Sequence, residues 1–214
     1  MNKYYTIKLS TDAKKIGCFP QVDCLTQFHA HQLKYGRFPD FNPELSFELE
    51  KKAKLTEILS QATISADGLL ISEKVKDILE KHDLLDHRFY SASVKDQKGK
   101  SHPYFWLHLV AKPEYLNWID FPNSKFLLEK GIRNFENISI NSKEEYDQKV
   151  REANDMETLA DIVVDKIVCT PLFNNKLSLF VFPKIDNRIF VSSDLKEELV
   201  SGSITGIEFT EAPF

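Results

Sequence analysis

Three cysteines, Cys18, Cys24 and Cys169, are all that this chain of 214 residues holds. That is too few for a disulfide framework, and the odd number leaves one thiol over. Glycine is scarce, with 7 residues against 16 phenylalanines, which excludes collagen-like and linker-like chains. No apolar run approaches the ~20 residues that a membrane-spanning helix needs. The opening stretch Met-Asn-Lys-Tyr-Tyr-Thr-Ile-Lys has no apolar core of signal-peptide length, so a cytoplasmic location is expected. Also missing are a P-loop, a nucleophile elbow, a His-Glu-x-x-His pair and a dinucleotide glycine pattern. A basic excess is missing too. Lys and Arg number 28 and Asp and Glu 32, for a formal charge of -4. No affinity for nucleic acid is expected from such a balance.

What is present fits an ordinary folded chain. Hydrophobic residues make up 42% and charged residues 28%, enough apolar surface to bury a core. Residues 1–130 are nearly balanced, with 19 basic and 17 acidic side chains, while residues 131–214 carry 9 and 15. The acidic excess lies in the C-terminal part, where a basic partner is easier to accommodate.

Periodicity gives the elements. Tyr4 to Leu9 reads as a strand, and residues 10–43 read as irregular, punctuated by glycine and proline. Leu45, Leu49, Ala53, Ile58 and Leu59 fall near one face of a helix over 45–60. Leu69 to Ser72 reads as a short buried strand, with Ser72 as N-cap of a helix over 73–82. Arg88 to Val94 and His102 to Val110 read as strands, and residues 126–141 as short strands around Gly131. Ser142 and Glu145 have capping-box spacing, which opens a helix drawn over 143–165, with Asn154-Asp155 as a candidate break and Leu159, Ile162 and Val163 continuing its stripe. Ile167 to Thr170 and Leu177 to Phe182 read as further strands.

The last segment resembles an earlier one. Phe190 to Leu199 aligns without gaps on Leu70 to Leu79 at an offset of 120 residues. Ser192 meets Ser72, Lys196 meets Lys76 and Leu199 meets Leu79. At the same offset Phe209 meets Phe89. The shared content is a strand, a serine-capped amphipathic helix, a turn and a second strand. A duplication and two uses of a common supersecondary unit both account for it.

That second copy also carries a family resemblance. Phe190-Val191-Ser192-Ser193-Asp194-Leu195-Lys196, followed by Thr205-Gly206-Ile207-Glu208-Phe209, resembles the C-terminal signature of a bacterial immunity-protein family of contact-dependent polymorphic toxin systems. That family is also known as the MXAN-0049-type immunity domain, formerly a domain of unknown function. Leu70 to Leu79 resembles its earlier serine-started helix. Tyr104 to Leu109, with Tyr115, Ile119, Asp120 and Ser124, resembles its aromatic centre, and Lys166 to Phe182 resembles the lead into its last helix. His108 stands where the family's pattern has Asn, and residues 95–101 are longer and more basic. The resemblance covers residues 57–214 and leaves 1–56 as an unassigned N-terminal portion, the whole being expected to form one compact unit. It implies a non-catalytic immunity protein, without cofactor, that binds and neutralises a cognate toxin domain.

Side-chain chemistry offers alternatives. Cys18, Cys24, His29 and His31 are the candidate zinc ligands, although their spacing is not that of a zinc finger; an extended His29-Ala30-His31 would put both imidazoles on one face. Asp120, with His102 and His108, is the one acid/base set to consider, so a small metal-dependent or hydrolytic enzyme is the alternative function. A structural adaptor is a third. Against these stand Asp120 as a turn cap and Trp106 as core. For partner binding the expected residues are Trp118, Asp120, Glu144, Glu145, Asp147, Glu152, Asp155, Glu157, Asp161 and Asp165, an acidic face with an aromatic anchor. The expected class is α+β, with a mixed or antiparallel sheet covered by amphipathic helices.

Overall fold

The computed structural model describes residues 3–131, 134–155 and 160–214. In chain order the elements are β1 (Tyr4–Leu9), α1 (Ala13–Ile16), β2 (Val22–Cys24), α2 (Gln27–Gln32), β3 (Leu45–Leu49), β4 (Ile58–Leu59), β5 (Gly68–Ser72) and α3 (Glu73–Leu79). They continue with β6 (His87–Lys95), β7 (Ser101–Leu109), β8 (Lys125–Lys130), β9 (Phe135–Ile138), α4 (Lys143–Asn154) and β10 (Ala160–Lys166). β11 (Leu179–Phe182), β12 (Asp186–Ser192), α5 (Ser193–Ser201) and β13 (Ile207–Glu211) complete the chain. Two short 3-10 helices, Pro113–Trp118 and Phe121–Asn123, lie between β7 and β8. The class is α+β, with mixed and antiparallel sheets.

Two compact units interleave along the sequence. Unit 1 comprises Met1–Ala111, Lys176–Val181 and Arg188–Glu211; unit 2 comprises Lys112–Asn175, Phe182–Asn187 and Ala212–Phe214.

Unit 1 holds a six-stranded sheet in the order β2-β3-β6-β7-β5-β4 and a four-stranded sheet in the order β11-β12-β1-β13. In the larger sheet β3 and β6 are parallel, and the other neighbours are antiparallel. β3 replaces the front of the helix expected over 45–60. Leu45 and Leu49 suit both a helical and a strand period, but Phe47 between them is fully buried while Ser46 and Glu48 face away. Strict alternation decides for the strand. Ile58 and Leu59 then form the short strand β4. Within residues 10–43 the structure also finds α1, β2 and α2, elements too short to show a period.

The core of this sheet gathers Phe47, Leu70, Tyr90, Val94 and Trp106 with Val22 and Leu33. Trp106 is core, as expected, with 2% of its surface exposed. Full burial of side chains this size contributes roughly 2–3 kcal/mol apiece. Gly68 faces Trp106 so closely that a Cβ there would lie 2.7 Å from the indole ring, so the strand tolerates only glycine at that point.

The two sheets of unit 1 place one antiparallel strand between two others in the same way. β7 lies between β5 and β6, and β1 lies between β12 and β13. Phe105 of β7 is opposite Ile71 and Ser91; Tyr5 of β1 is opposite Val191 and Glu211. Ser72 caps α3 by accepting from the Val75 N–H, and Ser192 caps α5 by accepting from the Leu195 N–H. The Lys76 ammonium sits 5.3 Å from the Phe105 ring centre and the Lys196 ammonium 3.7 Å from that of Tyr5.

The Thr205-Gly206 turn joins β4 to β1. The Ile58 N–H donates to the Thr205 carbonyl and the Ser10 N–H to the Gly206 carbonyl, both within 3.0 Å. Gly206 has φ of +95°, and a Cβ there would run into the Ile58 carbonyl oxygen.

Unit 2 is an antiparallel sheet in the order β10-β8-β9 with α4 packed on β10. The helix expected over 143–165 therefore ends at Asn154, and Ala160–Lys166 is a strand. Ile162, Val163 and Val164 form a β-branched run that packs on a pleated face, which outweighs their accidental helical spacing. Leu159 lies outside the described residues. The strand expected over 167–170 is reduced to a bridge between Ile119 and Cys169.

Candidate functional site

The structure divides the charge as well as the fold. By sequence, unit 2 carries 13 acidic and 9 basic side chains, and unit 1 carries 19 of each. The whole formal charge of -4 therefore belongs to unit 2.

α4 starts at Ser142, whose hydroxyl accepts from the Glu145 N–H at 3.2 Å. The Glu145 carboxylate reaches back to the Asn141 N–H at 2.7 Å, one residue earlier than a standard capping box would place it. Glu144 sits in the same first turn. Its own backbone N–H, then the Ser142 hydroxyl, hold its carboxyl below the usual range. Both acids complement the positive helix end. Further along, Glu152 accepts from Lys149 at 2.9 Å and Gln148 at 2.8 Å. Solvent screens that exposed pair, so it contributes little and leaves the face negative. Asp155 closes the helix as its C-cap.

The inner side of α4 presents Tyr146, which is buried between Phe121 and Phe126 and donates its hydroxyl to the Lys184 carbonyl at 2.9 Å. Burial, then the carboxylates of Asp161, Asp147 and Asp186, push its phenol well above the ordinary range. Three acids from three segments thus act on one ring.

Asp161 lies on β10 directly opposite Glu129 on β8. Like charges opposed on an antiparallel ladder repel. Among the described residues neither takes part in an ion pair. Together with Gly131, Asn154 and Ala160 they line an open depression of about 410 Å³. Its chemistry suits a cationic group supplied from outside. Asp165 is exposed near the end of the same strand, and Glu157 lies outside the described residues. Expected as one helical face, the acids are therefore shared between a helix and a sheet edge. Glu129 was not among them, because only strand register brings it to Asp161.

Trp118 stacks on Tyr115 at 4.2 Å and meets Phe173 edge-on at 5.5 Å. It is partly exposed, and Leu172, next to Phe173 in the chain, is 70% exposed. Asp120 caps the second 3-10 helix, accepting from the Asn123 N–H and side-chain amide.

The other chemical groupings are taken up locally. His102 bonds Asp96 at 2.9 Å, and this contact holds the Asp96 carboxyl down at about 2. His108 is fully buried and donates from Nε2 to the Lys34 carbonyl. The carbonyl partner requires a hydrogen on Nε2, and burial, outweighing that hydrogen bond, lowers the basicity of the ring. His29 and His31 lie on α2 rather than an extended segment, so they point to different sides. The His29 Nδ1 accepts from the Glu44 N–H, and Cys18 and Cys24 contact Pro20 and Thr26. Among the described residues no three His, Cys, Asp or Glu side chains converge as metal ligands. No helix among them is long and apolar enough to cross a membrane.

A family model described as Immunity protein family (Imm11) matches residues 12–213. A search of curated proteins finds no match to the chain.

Proposed function

From the chain's membership of the immunity protein family Imm11, which spans nearly its whole length, we propose that it binds a cognate toxin domain and neutralises it without catalysis. The setting is the cytoplasm of a bacterium with a polymorphic toxin system. The acidic face of unit 2 is the contact for basic groups of the toxin, and Trp118 is its aromatic anchor. One observation carries this assignment: the opposed Glu129 and Asp161, without an ion pair among the described residues, at a surface depression on the unit that holds all the net charge. A Lys or Arg side chain entering there relieves the repulsion and gains two carboxylate partners. We also read the two strand–helix–strand segments of unit 1 as copies of one unit, supported by their matching registers and lysine–aromatic contacts.

The test uses an inactivated form of the toxin encoded by the neighbouring gene. Glu144→Lys, Glu152→Lys and Asp161→Lys should each weaken the complex about tenfold, and together should abolish protection of cells that express the active toxin. Wild-type affinity in all three would remove the acidic face from the contact. Failure of the wild-type chain to bind the toxin would remove the immunity reading itself.

A further inference from the structure

Unit 1 presents a second chemically distinct surface, on the opposite charge principle. An open cleft of about 440 Å³ lies between residues 39–42 and β6, lined by Pro39, Asp40, Phe41, Asn42, Arg88 and Tyr90. Arg88 and Tyr90 are two apart on β6 and so share a face. Opposite them on β7 stand His108 and Trp106.

Two donors in this cleft are unmet. The Arg88 guanidinium lies over the Phe38 ring at 4.5 Å, which fixes its plane, and it forms no ion pair among the described residues. Tyr90 is 5% exposed, and its hydroxyl has no hydrogen-bond partner among them. The Nδ1 of His108, whose ring centre lies 6.2 Å from that of Tyr90, is also without a partner among the described residues, so the two groups do not bond each other. Buried hydroxyls are rarely left this way, and each exception calls for a physical reason, of which a bound partner is one. The rim adds apolar surface. Phe41 contacts His29 at 5.4 Å, and His29 contacts Phe28, which is 76% exposed.

We propose that this cleft receives a carboxylate side chain of the toxin, held by the Arg88 guanidinium and the Tyr90 hydroxyl. The inference rests on the immunity reading and adds a second contact to it. A planar carboxylate takes a guanidinium in a two-point grip and has oxygens to spare for a phenolic O–H. Asp40 opposes an anion, so the acid enters on the Arg88 side and Asp40 selects against a second negative charge. Phe41 in the lining and Phe38 under the guanidinium provide the apolar surface that strengthens such a pair.

Calorimetric titration with the inactivated toxin domain tests this, alongside thermal unfolding of each free variant. Arg88→Gln should weaken binding about tenfold. Tyr90→Phe should weaken it about fivefold while the free protein melts at the same or a higher temperature, since the lost hydroxyl had no partner there. Asp40→Asn should strengthen binding severalfold. Replacing toxin acids one at a time by amides should find one whose loss costs nothing further in the Arg88→Gln background. Wild-type affinity in both Arg88→Gln and Tyr90→Phe, or the absence of any coupled toxin acid, overturns the proposal. If the wild-type chain binds and only the unit 2 reversals weaken it, the cleft fails alone. If the wild-type chain binds no toxin, the immunity reading fails first.

Discussion

Asp67 begins the turn into β5, half-buried, and burial pushes its carboxyl up to about 6. An acid raised in the folded state is easier to protonate there than in the unfolded chain. Its ionised form therefore costs stability. The cost starts as pH climbs past the ordinary value of 3.8, is complete above about 6, and is absent below both. A shift of this size corresponds to about 1–3 kcal/mol. Asp67→Asn should raise the unfolding midpoint at pH 7.5 by several degrees and leave it nearly unchanged at pH 3.5. An equal effect at both pH values would show that shape, not charge, governs the site. Single residues of this kind are only partly legible in the sequence. Asp120 reads as a turn cap and Trp106 as core because their roles are local or follow from an apolar run. Glu129 and Arg88 do not: only strand pairing sets Asp161 beside Glu129, and only the fold sets residues 39–42 against the Arg88 and Tyr90 face of β6.

At the scale of elements, capped segments read best. Ser72 and Ser192 sit where an extended residue meets a helix, and each hydroxyl satisfies a first-turn N–H that would otherwise lack a partner. Ser192→Ala should lower stability by about 1 kcal/mol. Ser72→Ala should cost more, because the Ser72 hydroxyl also donates to the half-buried Glu57 carboxylate. Denaturant midpoints of the two variants check the order, and equal losses would assign Glu57 no share. The elements that misread share one cause. Over 45–49 and 160–165 the apolar spacing fits two periods at once, and long-range pairing chose the strand. For β3 the choice came from β6 and β2 on either side, for β10 from β8. Nothing local in Leu45, Leu49, Ile162 or Val163 names those partners. The α+β class survived these errors because exchanging one helix for one strand leaves the mixture intact.

At the scale of the molecule, the proposed function makes the division of charge separate how the toxin arrives from how it is held. Unit 1 is formally neutral and unit 2 carries -4, so under that proposal long-range attraction of basic groups on the toxin points at unit 2. Attraction of this kind acts over about a Debye length, which is ~14 Å at 0.05 M salt and ~4 Å at 0.5 M. The association rate should therefore fall about tenfold or more over that range, while the dissociation rate, set by buried contacts, changes much less. Neutralising Glu144, Glu152 and Asp161 to amides should flatten the salt dependence. Neutralising the exposed Asp77, Glu44 and Glu197 of unit 1 removes the same charge from the whole chain. If net charge alone steered the encounter, both triple variants would behave alike in stopped-flow measurements. A flattened slope in the unit 2 variant alone locates the steering field on that unit. A flattened slope in the unit 1 variant alone would move the toxin's approach to the other unit.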